Sequence, residues 1–96
     1  MTKTPKPYIC CFGTHGTAVI YGWTDKEPEA GAPIRMTRAR MVLYWSKECR
    51  GLLGLAANGP KTNTRLTPAV ESHGDECVRQ WVECSPMAAA ALDAWE

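Results

Sequence analysis

The sequence predicts a single α+β domain, a small antiparallel sheet of about five strands with a short middle helix and a C-terminal helix packed on one face. Three observations carry that expectation. Short apolar runs rich in β-branched and aromatic residues recur between Pro, Gly and other turn residues through the first 45 positions. The stretch "GLLGLAANGP" at 51–60 changes to helical spacing and ends on a strong stop. Finally, "SPMAAAALDAWE" at 85–96 opens with a capping Ser85 and Pro86 and continues in strong helix formers. A chain of 96 residues can build one core and not two. Residues 1–6 read as a polar tail, and 7–96 as the domain.

Taken in order, "PYICCFG" at 7–13 is a buried strand and "TAVIYGW" at 17–23 its hairpin partner across "THG". The segment "TDKEPEAGAP" at 24–33 has acids, two prolines and a glycine without apolar periodicity, which predicts an exposed loop. In "RARMVLYW" at 38–45, Ala39, Met41, Leu43 and Trp45 alternate with Arg38, Arg40, Val42 and Tyr44. Alternation places the first set in the core and leaves a mixed face with two guanidinium groups on the other side. Leu52 and Leu53 recur with Ala56 and Ala57 at helical spacing, while Gly51 and Gly54 imply close backbone packing in a helix of about two turns. A fourth strand is expected over 63–70, limited by Pro68, followed by a turn at "SHGD", 72–75. The fifth strand, "ECVRQWVEC" at 76–84, would set Val78, Val82 and Cys84 on one face and Cys77, Arg79, Trp81 and Glu83 on the other.

Composition narrows the function classes. At 45% hydrophobic and 22% charged the chain is an ordinary globular one. It has no apolar stretch of membrane-spanning length and no leader-like start, so no membrane role and a cytoplasmic location, that of a host cell, are expected. Five cysteines, two of them adjacent and the rest irregularly spaced, make a poor disulfide framework and agree with a reducing compartment. Cys11 with His15, and His73 with Cys77, share a four-residue spacing that a tetrahedral zinc site could use. Buried thiols and ordinary histidines are the competing explanation, and no metal or other cofactor is expected.

The net charge of +1 is too small for a dedicated nucleic-acid binder, but its distribution is uneven. Residues 1–32 sum to 0, residues 33–70 to +6 and residues 71–96 to −5. Either the basic middle and acidic end neutralise each other, or the middle segment holds an anion pocket.

Several motifs then resemble a family of small uncharacterised proteins from bacteriophages and prophages. "FGTHG" at 12–16 stands where that family carries a hairpin motif, "ARMVLYW" at 39–45 is similar to its Ala-Arg and Tyr-Trp strand, "LLGLAANG" at 52–59 to its short helix, and "VECS" at 82–85 to its late strand end. Met41 stands in place of the second arginine, and the 24–33 loop is longer. The resemblance spans most of 8–96 and implies a phage origin and a shared fold.

No catalytic motif is evident: Ser46 lacks a nucleophile elbow, "GLLGLAANG" lacks the lysine of a phosphate loop, and no Cys-His pair is marked by sequence. The chain is read as a non-enzyme. Arg38, Arg40, Tyr44, Trp45 and Arg50 are the expected binding residues, offering guanidinium forks for phosphate or carboxylate and aromatic faces for a base. The expected function is a phage accessory protein that binds a small anionic, nucleotide-like ligand, acting as an anti-defence sponge; the alternative is an interaction module that inhibits a host defence protein. A homo-oligomer is a further expected assembly. A sponge requires a pocket with converging arginines, whereas a module requires an exposed apolar patch.

Overall fold

The computed structural model describes residues 4–12 and 18–95, with only the backbone of 72–76. The elements run β1 (Lys6–Phe12), β2 (Ala18–Thr24), β3 (Pro33–Tyr44), a 3₁₀ turn (Lys47–Cys49), α1 (Gly51–Asn58), β4 (Arg65–Leu66), β5 (Val70–Glu83) and α2 (Pro86–Ala94). Sheet order is β2-β1-β5-β3-β4, and β2 also pairs with β3, so β1, β2, β3 and β5 close into a ring. Every pairing is antiparallel. The α+β architecture with five strands, a short middle helix and a C-terminal helix is the one expected.

Closure explains why the first two strands are apolar on both faces. Tyr8, Cys10, Phe12, Ile20, Ile34, Met36, Ala39 and Val78, drawn from all four ring strands, form a core inside the ring. Ile9, Cys11, Val19, Tyr21, Val42 and Cys84 face outward and are covered by Leu55, Ala56, Ala88, Ala89 and Leu92 of the helices. Gly22 faces the interior, where a Cβ would come within 2.9 Å of Met36 Cβ, so the missing side chain lets β3 approach β2.

The helix layer is built by local chemistry the sequence displays. Ser85 caps α2 by accepting from Ala88 N at 3.0 Å, and its hydroxyl donates to Ala57 O at 2.7 Å. Its backbone amide donates to Ala56 O, so one residue starts α2 and ties down the end of α1. Gly59, at φ 86, ends α1 by donating its amide to Leu55 O. At Gly54 a Cβ would collide with the Cys49 carbonyl oxygen, the close backbone packing that the glycine implied.

Four expectations are corrected. Met41 and Leu43 are not core residues: they are 39% and 59% exposed, while Val42 and Arg40 on the opposite face are buried. The cause is a break at Arg38, whose φ of 51 is left-handed; Ile34 and Met36 point inside the ring before it, and Arg40 and Val42 point to the helix layer after it. The fourth strand shrinks to Arg65–Leu66. Pro68 has no N–H to extend the ladder, and the Thr67 amide is spent on Met41 O. No turn interrupts 72–75, because β5 continues through it paired with β3, Ser72 opposite Thr37 and His73 opposite Met36. Turn-forming residues are overridden here by a long partner strand. Lastly, Val78 does not share a face with Val82 and Cys84. A register shift between Cys11 and Phe12 leaves Arg79 as an extra residue, so Val78 points inward while Val82 and Cys84 meet the helices.

Candidate functional site

The five expected binding residues are distributed over separate places. Arg38 stands out from its left-handed backbone with its guanidinium 4.4 Å from the centre of the Trp23 ring. The Trp23 Nε1 donates to both carboxylate oxygens of Asp93 at 3.2 Å, so the stack is anchored to the end of α2. Arg40 is 6% exposed and serves the fold. Its Nε donates to Thr67 O at 2.7 Å and its Nη1 to Leu92 O at 2.6 Å, with Asp93 O at 3.5 Å. A cation is thereby fixed on the last carbonyls of α2, where the helix dipole favours positive charge.

Trp45 is half-buried against the helix-side core. Arg50 has φ 63, caps the 3₁₀ turn by donating its amide to Lys47 O, and lines a cleft with Leu53, Gln80 and Trp81. Tyr44 alone among the five has an exposed arginine, Arg65, as its cross-strand partner.

Tyr44 and Arg65 are direct cross-strand partners, so their side chains leave the same face. A shift in register between Val42 and Tyr44 turns both Leu43 and Tyr44 toward solvent, at 59% and 53% exposure. With Asn63, itself left-handed at φ 73, these residues line an open cleft of about 500 Å³. A second cleft of about 420 Å³ begins one residue pair away, lined by Ile20, Ala39, Met41, Thr67, Pro68 and Val70. This is the mouth of the ring: Met41 lies opposite Ile20 on β2, and Val70 opposite Ala39 on β3. Its walls are almost wholly apolar, and Val70 is 52% exposed. The two clefts take neighbouring residues of β3, Met41 in one and Leu43 in the other; the first is apolar and includes Val70, the second includes the cationic Arg65.

Arg65, Asn63, Pro68 and Val70 were not expected in a site. Each sits in the segment 63–70, where strand partners decide which side chains meet Tyr44 and Met41. The sequence signals for this segment are Pro68, which marks an edge, and the positive charge of residues 33–70, to which Arg65 contributes.

The thiols are placed mainly as core. Burial pushes Cys10 up to about 12, with Cys11 beside it adding to the effect, and burial pushes Cys84 up to about 12. Both are neutral thiols at neutral pH and poor nucleophiles. Cys49 Sγ lies 3.4 Å from Thr64 Oγ1, and Cys77 is exposed. Of the residues considered for zinc, Cys11 is buried on the helix side, whereas His15 and the His73 side chain lie outside the described residues. Burial, with Asp93 nearby, raises the Tyr21 hydroxyl, which donates to Ala89 O at 3.1 Å and fastens α2 to the ring. No helix among the described residues is long and apolar enough to cross a membrane.

Compared with known proteins, residues 10–95 match the family described as a domain of unknown function, DUF6948, and the chain belongs to that family. No curated protein matches it. No solved structure matches it either.

Proposed function

We propose that this protein is a non-enzymatic interaction module that docks another protein on the strip from Val70 to Arg65. In the setting that the phage resemblance implies, the partner is a host protein met in the host cytosol, and docking inhibits it. One observation carries the reading: Met41, Leu43, Tyr44 and Val70, four of the six large apolar side chains exposed among the described residues, line the two clefts beside one end of β3. Isolated exposed hydrophobics need no explanation, but a contiguous set bordered by charge marks a contact surface. The ligand-sponge reading calls for several guanidinium groups on one cavity. Arg38 is stacked on Trp23, Arg40 is spent on backbone carbonyls and Arg50 lines another cleft, which weighs toward the module.

A photo-crosslinking residue in place of Leu43, and separately in place of the exposed Ala90 on α2, tests this in cells. The expected result is a discrete crosslinked partner from position 43 and not from 90, abolished by Met41→Asp. Equal products from both positions, or none from 43, would refute the module.

A further inference from the structure

We infer that the partner presents an extended segment in which apolar side chains are followed by a carboxylate, the apolar groups entering the Met41–Pro68–Val70 cleft and the carboxylate meeting Arg65. The inference rests on the docking reading and names the chemistry of its partner.

Three features argue for it. The first is shape. Met41 and Leu43 are both exposed on either side of the buried Val42, two residues of strand span about 6.8 Å, and each of the pair lines one of the clefts. A compact ligand fills one of them; an extended chain of about four residues, at roughly 3.3 Å each, passes over both.

The second is backbone access. Met41 N already donates to Thr67 Oγ1 at 2.9 Å, and Thr67 N donates to Met41 O at 3.0 Å. This stretch of β3 therefore has no free ladder on the β4 side for an added strand. Recognition falls to the side chains, which makes it selective for composition rather than for any extended peptide.

The third is charge. Among the described residues no carboxylate pairs with Arg65. The segment 33–70 carries +6, with Lys61 also exposed close by in sequence. A guanidinium presented this way, with the Tyr44 ring directly across the strand pair, suits a planar carboxylate. The Met41–Pro68–Val70 cleft has aliphatic walls and a single hydroxyl side chain, Thr67, so it offers an anion nothing. That asymmetry sets the order of groups on the partner, apolar at the Val70 end and acidic at the Arg65 end.

Selection of short random peptides displayed against the immobilised full chain tests the inference, with Arg65→Glu, Arg65→Lys and Met41→Asp as comparison targets after their melting temperatures are shown to match the wild type. The expected winners carry Asp or Glu a few positions from an apolar pair. Their synthetic versions should bind Arg65→Glu at least about tenfold more weakly, as loss of a charge-assisted contact implies, and should keep most of their affinity for Arg65→Lys. Winners that depend on Met41 but lack acids, or ignore Arg65→Glu, would overturn the inference and leave the docking surface standing. Winners insensitive to both positions, or no winners at all, would overturn both. A melting temperature raised by nucleoside monophosphates in wild type and not in Arg65→Glu would also overturn both, in favour of a small anionic ligand.

Discussion

The two halves of β3 carry similar residues and meet opposite fates. From Pro33 to Ala39 the strand lies against β5, and Ile34, Met36 and Ala39 are locked inside the ring. From Arg40 to Tyr44 it lies against β2 and β4, with α2 reaching one face only. On that covered face an arginine is buried; on the bare face a leucine is in water. Residue type therefore decides less than what stands over the strand. The buried Arg40 is tolerable because carbonyls of Thr67 and Leu92 replace its lost water, whereas an unpaired guanidinium there would cost several kcal/mol.

Met36→Ala probes the enclosed half and should have the largest effect, a loss of roughly 2–5 kcal/mol in chemical denaturation, because a fully buried side chain is removed from a ring that cannot collapse around the gap. A loss below about 1 kcal/mol would show that the interior is loosely packed and would remove the contrast. Arg40→Ala should follow at about 2–3 kcal/mol, through the carbonyls it leaves unpaired at the end of α2. If the protein kept its melting temperature but failed to bind its partner, Arg40 would have to be moved from the scaffold to the working surface. Next in size comes Ser85→Ala, at about 1 kcal/mol, since the change removes both the α2 cap and the link to Ala57 O. Amide exchange should then rise in the last turn of α1 as well as the first turn of α2; protection lost in α2 alone would separate the two helices energetically. The smallest effect belongs to Leu43→Ala, within about 0.5 kcal/mol, because that side chain is exposed. A loss as large as that for Met36→Ala would mean Leu43 is covered in solution, pointing to self-association through the strip.

Much of the architecture was legible along the chain. The hairpin of β1 and β2, the stop after α1 at "NGP" and the Ser85–Pro86 start of α2 all rest on neighbours within a few residues, and local chemistry is what a sequence displays. Of the proposed docking strip, the sequence reading named Tyr44 and not Arg65, whose pairing with Tyr44 depends on a two-residue strand. Arg38, Arg40 and Arg50 look equivalent in sequence and end in three different surroundings, on an indole, on helix-end carbonyls and beside another cleft.

The sequence by itself determined the α+β class, where the middle helix ends and the last one begins, and that the first strand would be buried. Tertiary structure decided which face of β3 is core, because alternation defines two faces without saying which one a helix will cover. It also decided where the pattern breaks. The left-handed Arg38 and the extra Arg79 each reverse a strand's faces, and both arise where a strand must bend to close the ring, a demand made by partners distant in the chain.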